Sequence, residues 1–267
     1  MEGMVQIIIT ADDFGRSIER NHAIDDSFKQ GLISSAGLIV TGKYLQDAVD
    51  HMKDGGYVDK VHLHVNLSTS FVDDNPEDVP ISDSMKGDSF FCINGRFKQY
   101  NGLPKRFRSI LKWKVVYNEI VAQYNKFIKI TNGEGDLSRI DFHLWYNHSW
   151  PVSVALNVFT RNFKIKTVRY ISVYKRKSIR CLLYRIISWN PHVKSIPSAS
   201  IDYYLTKNKS LDDKRLYELY CHPNYRDGVL FDDTPSYFHH ERLPLVDHCK
   251  MLEKLGRFEL VSWQTLS

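Results

Sequence analysis

The stretch Val5-Gln6-Ile7-Ile8-Ile9-Thr10-Ala11-Asp12-Asp13-Phe14-Gly15 decides how the chain is read. Its first half is apolar and β-branched, the pattern of a buried strand. Arg16 and Ser17 follow, then a helical pattern from about Asn21 to Gln30, with Gly31 suited to the position after a helix end. Two adjacent carboxylates therefore stand where a buried strand ends and a loop begins. Like charges there are costly unless something compensates them. Either a metal ion compensates one and a proton-transfer role explains the other, or one Asp caps the following helix. The dipeptide alone leaves these two readings even.

Outward from this stretch, apolar patterns alternate. Strands are expected at 32–41, 60–67, 138–143, 166–173, 200–205, 217–222 and 259–263; helices at 44–53, 113–129, 151–162, 175–189 and 239–255. Such alternation, with no internal repeat, argues for an α/β fold on a parallel sheet, either a barrel or doubly wound. Polar residues discriminate. Asp12, Asp13, His64, His143 and His222 all fall at or near the C-terminal ends of predicted strands, where a (β/α) barrel builds its site. No Gly-rich phosphate-binding turn follows any strand. Residues 68–104 exceed a simple connector and read as a long active-site loop or excursion. No low-complexity linker divides residues 1–267, so a single domain is expected.

Apolar residues are 43% and charged ones 25%, an ordinary soluble composition. No apolar run approaches the roughly 18 residues of a membrane span. The first residues lack the basic and apolar regions of a signal peptide. Cys92, Cys181, Cys221 and Cys249 have neither zinc nor disulfide spacing. A cytoplasmic location is the expectation. A net charge of +5 is too mild to call for nucleic acid. The basic stretch 164–185 reads as a solvated helix face or, alternatively, as a surface for an anionic partner.

Asp13, His64 and His143 offer one carboxylate and two imidazoles, a common donor set for one catalytic divalent ion with positions left open. Asp12 beside them could take a proton from water, and His222 could protonate a leaving group. Arg169 either holds Asp12 ionised or is an ordinary salt bridge or surface charge. His62, on the same strand face as His64, is a further candidate ligand, and His148 a candidate substrate contact.

The hexapeptide Thr10–Gly15, with Ser17 and Asn21 after it, resembles the opening motif of the YdjC-like carbohydrate deacetylases, the family that includes the chitooligosaccharide deacetylases. The likeness continues through Leu63–Ser68 with His64, the helix bearing Glu119 and Gln123, Asp141 with His143, Cys221-His222-Pro223, and Arg242. It spans about residues 4–263. The resemblance implies a distorted (β/α) barrel, TIM-barrel-like, of about seven strand–helix units. It also implies hydrolysis of an N-acetyl group from a sugar or oligosaccharide. By that likeness Asp13, His64 and His143 hold Mg2+ or Zn2+, Asp12 is the general base and His222 the acid.

The chain departs from the family after His143, where Trp145 and Asn147 stand in place of histidines, and at Asn224, which stands in place of a glycine. Trp145, Asn147, His148 and Trp150 are therefore candidate substrate-binding residues, their rings suited either to stacking on a sugar or to core packing. The alternatives kept open are a catalytically silent sugar-binding protein on the same barrel and a metal-dependent hydrolase of another sugar ester or phosphoester. The expected partner is the sugar; a homodimer is left open.

Overall fold

The computed structural model describes residues 5–69, 79–98, 110–143, 150–169, 193–194, 196, 198–207, 216–234 and 243–266. Strands and helices alternate as β1 (Val5–Phe14), α1 (Ile18–Lys29), β2 (Ser35–Leu38), α2 (Leu45–Asp54) and β3 (Val61–Val65). The excursion that follows carries a short helix, α3 (Asp83–Lys86), and a hairpin of β4 (Cys92–Ile93) with β5 (Arg96–Phe97). Alternation resumes with α4 (Trp113–Ile130), β6 (Asp136–Phe142), α5 (Trp150–Asn162), β7 (Thr167–Val168), β8 (Ser198–Ser200), α6 (Ile201–Lys207) and β9 (Tyr217–Cys221). A second hairpin, β10 (Pro223–Arg226) with β11 (Val229–Asp232), precedes α7 (Leu245–Leu255) and β12 (Phe258–Leu260).

The main sheet runs β7-β6-β3-β2-β1-β9-β8, with β12 beside the N-terminal end of β1. Every pairing in it is parallel. A parallel sheet covered on both faces needs strands that are apolar throughout, and β1 is buried at every position but Gln6. The sheet curls into a distorted, incomplete (β/α) barrel. Its curvature brings Arg169, directly after edge strand β7, against Glu218 of β9 on the far side of β1.

Helix α4 buries Val116, Ile120, Tyr124 and Phe127 at spacings of three and four, as the pattern requires. Glu119 and Gln123 share that buried face and are fully bonded there. Glu119 accepts from Ile81 N, Ser82 N and Ser82 Oγ at 2.7–3.0 Å. Gln123 exchanges bonds with the backbone of Asn66, at 3.0 and 2.6 Å. Both clamp loops that follow β3, beside the C-terminal ends of the strands.

Several elements differ from expectation. The strand expected at 200–205 is helix α6, because the Ser200 hydroxyl accepts from Tyr203 N at 3.2 Å and starts a helix there. The segment between the strand expected at 217–222 and the helix expected at 239–255 carries the β10–β11 hairpin, turned by Asp227-Gly228 with φ of 49° and 75°, the Asp-Gly turn that matches strand twist. Helix α1 starts earlier, at Ile18, since Ser17 caps it through Arg20 N. The helix expected at 175–189 and the start of the one expected at 239 lie outside the described residues. Among the described residues, Cys92, Cys221 and Cys249 are free thiols, and no helix is long and apolar enough to cross a membrane.

Candidate active site

Strand β1 does not end before the carboxylate pair; it carries it. Ala11 pairs with Ala36 and Phe14 with Leu38, so β1 holds one more residue than β2 between these points. That is a bulge, and Asp13 sits in it with φ of 69°. Successive residues of a regular strand face opposite sides of a sheet. Here the bulge lets both Asp12 and Asp13 meet the same buried cluster at the barrel mouth.

Asp13 meets the two histidines predicted to join it. His143, just past β6, places Nδ1 2.6 Å from Asp13 Oδ1, and His64 of β3 places Nε2 3.5 Å from the same oxygen. One ligand atom from each of the three lies within 4.8 Å of the others, and all three residues are buried. Arg16 reaches Asp13 Oδ2 at 2.9 Å. Burial opposes the charge on Asp13, yet His143, Arg16 and hydrogen bonds from both histidines hold its carboxyl well below the usual range. Burial also pushes His143 down, toward the neutral imidazole that can donate a lone pair.

The orientation of His64 comes from Asp141, whose Oδ1 lies 2.5 Å from His64 Nδ1. With a proton kept on Nδ1, Nε2 is the nitrogen that can give up its own proton and turn a lone pair toward Asp13, the arrangement by which a carboxylate orients a metal-binding histidine. Asp141 Oδ2 is 2.9 Å from His62 Nε2, whose other nitrogen is 3.2 Å from Ser35 Oγ. His62 is thus a buried support for Asp141, not a neighbour of Asp13. Burial opposes protonation of His64, but Asp141, Asp12 and Asp13 raise it to about 10. A pocket this negative favours a cation at Nε2, a proton or a divalent ion in competition with it.

These residues fit a divalent ion. The donor set is chemically apt, each member is buried, and His64 is preoriented. A second grouping, Asp12 with His64 and Asp141, is also close. It fits less well, because Asp141 and one oxygen of Asp12 are already engaged by Arg169.

Arg169 is buried and is no surface charge. Its Nη1 lies 2.5 Å from Asp12 Oδ2, Nη2 2.9 Å from Asp141 Oδ2, and Nε and Nη2 2.9 and 2.8 Å from Glu218 Oε1. It pins one oxygen of Asp12, while Asp12 Oδ1 is buried with no hydrogen-bond partner among the described residues. Glu218 also accepts from Arg139 and from Thr10 Oγ1. Arg139 in turn stacks on Trp263, 3.7 Å from the ring centroid.

His222 follows β9. Its Nε2 is 4.0 Å from Asp13 Oδ2 and its Nδ1 is 3.0 Å from Thr234 Oγ1. That hydroxyl donates to Asp232 Oδ1 at 2.5 Å, so it accepts from His222 Nδ1 and leaves Nε2 bare in the neutral ring. Burial pushes the imidazole below its ordinary value, against the pull of Asp13 and Asp12.

The structure therefore brings Asp12, Asp13, His64, His143, His222 and Arg169 together. Trp150 opens α5, half-buried. Trp145, Asn147, His148 and Arg242 lie outside the described residues, as does the stretch 170–185. Sequence reasoning missed the roles of Asp141, Glu218 and Arg139. The signal was the period of two: Arg139, Asp141 and His143 alternate along one strand, and Glu218, Tyr220 and His222 along another.

Comparison with known proteins gives the chain's family and its fold. A sequence family described as "YdjC-like protein" matches residues 6–247. A Danio rerio protein named carbohydrate deacetylase is 33% identical over 127 residues, covering 47% of this chain and 37% of its own. A Xenopus laevis protein of the same name is 26% identical over 49% of this chain and 40% of its own, so the match spans less than half of either vertebrate relative. Listeria innocua carbohydrate deacetylase 2 is 22% identical over 86% of this chain and 85% of its own. A crystal structure from Enterococcus faecalis, of a protein provisionally named for cellobiose-phosphate cleavage, shares the fold. Its TM-score is 0.70 at 19% identity, over 99% of both chains.

Proposed function

Because the chain belongs to the YdjC-like family, we propose that it is a metal-dependent carbohydrate N-deacetylase, cleaving the amide of an acetylated sugar to amine and acetate. The observation that carries this reading is Asp12: one oxygen is fixed by Arg169 and the other is buried without a partner among the described residues, beside a His-His-Asp donor set. A mere binding site has no need of a preoriented base.

Asp13, His64 and His143 would hold the ion. Two imidazoles and one carboxylate favour Zn2+ or a similar transition ion over Mg2+, which prefers an all-oxygen shell. When bound, such an ion polarises the amide carbonyl and acidifies water. Asp12 Oδ1 accepts the proton of the attacking water. As the C–N bond breaks, the departing nitrogen takes a proton from His222 Nε2. Since His222 rests neutral with Nε2 bare, it takes that proton from solvent before the amide is cleaved, and Asp12 returns the water's proton to solvent once acetate leaves. Trp145, Asn147, His148 and Trp150 are proposed to contact the sugar.

The decisive experiment is acetate release from a panel of N-acetyl sugars, with Zn2+ and after chelation. Release that chelation abolishes and Zn2+ restores is expected. No acetate under any divalent ion overturns the reading, and sugar binding without turnover would leave a silent binding protein.

Two variants test its parts. His222→Ala is expected to lower kcat on the amide by about 10²–10⁴, but to spare an activated acetate ester whose leaving group needs no proton. Equal losses on both substrates would remove His222 from the acid role. Gly37 of β2 sits against His64: an added Cβ would lie 3.0 Å from Nδ1 and 3.1 Å from the ring carbon Cγ. Gly37→Ala is expected to tilt the ring and weaken Zn2+ binding roughly 10–100-fold, measured by calorimetry. Unchanged affinity would mean that this contact does not place the ring.

A further inference from the structure

A further group of metal-ligating side chains, sharing no residue with those at the barrel mouth, lies between α1 and α2. His22 of α1 and Asp47 and His51 of α2 each bring a ligand atom within 4.8 Å of the others. Asp47 and His51 are four residues apart and share a helix face, with His51 Nε2 3.9 Å from Asp47 Oδ1. The rings of His22 and His51 meet edge to face, centroids 4.7 Å apart. We propose that these three residues form a second divalent-ion site, of the imidazole-rich kind that takes Zn2+ or Cu2+, bridging α1 to α2.

Two of the three ligands are oriented from behind. His51 Nδ1 lies 3.3 Å from Oδ2 of the buried Asp25, which also accepts from Tyr57 OH at 3.0 Å and pairs with Lys29 at 2.5 Å. A proton on Nδ1, on the side of that carboxylate, would leave Nε2 facing Asp47, a looser form of the arrangement by which Asp141 presents His64. Asp47 Oδ2 accepts from Asn21 Nδ2 at 2.8 Å, which leaves Oδ1 toward His51. His22 is exposed, so water can complete the coordination.

The place of the site gives it a consequence. Asn21, which orients Asp47, also accepts from Gly15 N at 2.7 Å and donates to Tyr44 O at 3.0 Å. Gly15 belongs to the loop that follows Asp13. An ion here would fasten α1 to α2 through His22, Asp47 and His51, beside the Asn21 side chain that holds that loop. The site does not depend on the deacetylase reading.

Zn2+ titration of the full chain by calorimetry, with metal counted after dialysis, tests it. The unaltered chain is expected to bind two ions. His22→Ala, an exposed change, is expected to bind one, its affinity for the other falling at least about tenfold; Asp47→Asn, which keeps a partner for Asn21, should do the same. Cu2+ placed at the site should show nitrogen couplings by electron paramagnetic resonance that His22→Ala reduces. Excess Zn2+ should raise the Tm less in His22→Ala than in the unaltered chain. Identical stoichiometry and affinity in His22→Ala overturn the site. A chain that binds a single ion separates the two readings. Loss in His22→Ala but not in His64→Asn removes the barrel-mouth site and keeps this one; the reverse removes this one.

Discussion

Asp12→Asn is expected to lower kcat for deacetylation by about 10²–10⁴, while the protein folds and still takes up its divalent ion. The substitution keeps the shape of the side chain. Its amide oxygen can still accept from Arg169 Nη1, which approaches Asp12 Oδ2 to 2.5 Å. Removing a carboxylate from a buried ion pair is usually costly because the partner charge is stranded. Arg169 escapes that, since Asp141 and Glu218 remain 2.9 and 2.8 Å from it. What disappears is basicity at Oδ1, the oxygen with no partner among the described residues. The measurement is kcat on an N-acetyl sugar together with bound metal and Tm. Activity within about tenfold of the parent would remove Asp12 from the base role. Loss of the ion would instead make Asp12 a ligand. Asp13→Asn provides the contrast: it should lose both ion and activity, because its Oδ1 is where His143 and His64 converge.

The sequence made much of this legible through periodicity. Strand ends carrying Asp or His mark a barrel mouth, because parallel strands put their C-terminal ends on one side. His64, His143 and His222 were found that way. The bulge in β1 was not legible: nothing in Thr10–Gly15 shows that Asp13 adopts φ of 69°, and regular alternation would send Asp12 and Asp13 to opposite faces. Arg139 and Glu218 were overlooked for a different reason. A charge inside an otherwise apolar strand is read as a solvent-facing position, since an unpaired buried charge is so unfavourable. Only the curl of the sheet, which carries Arg169 from beyond β7 to β9, shows that these charges face each other. The β10–β11 hairpin was readable from Asp227-Gly228, but no apolar alternation flanks that turn clearly enough to announce two strands.

Glu218→Gln is expected to destabilise the fold by about 3–5 kcal/mol, a fall in Tm on the order of 10 °C. Glu218 is wholly buried, and its Oε1 receives Arg139, both Nε and Nη2 of Arg169, and Thr10 Oγ1. Without its charge, Arg139 keeps, among the described residues, Asp141 Oδ2 at 3.7 Å and the face of Trp263. Arg169 is better provided for, so the penalty falls mainly on Arg139. Replacing Arg139 and Glu218 together by Leu should therefore recover much of the loss, as an apolar pair strands no charge. The pH dependence gives a second readout. Burial opposes ionisation of Glu218, but Arg139 and Arg169 lower its pKa from 4.5 to about 2. A folded-state pKa below the unfolded one stabilises fully above 4.5, and that contribution fades as pH falls through about 2. Glu218→Gln should flatten this acid limb. His64, raised from 6.5 to about 10, acts with the opposite sign: in ion-free protein its contribution is complete below 6.5 and lost as pH rises through 10. That alkaline limb should survive in Glu218→Gln, because His64 draws its charge partners from Asp141, Asp12 and Asp13. Urea unfolding across pH measures both limbs. A Glu218→Gln protein within about 1 kcal/mol of the parent at neutral pH would mean that the buried arginines find other compensation.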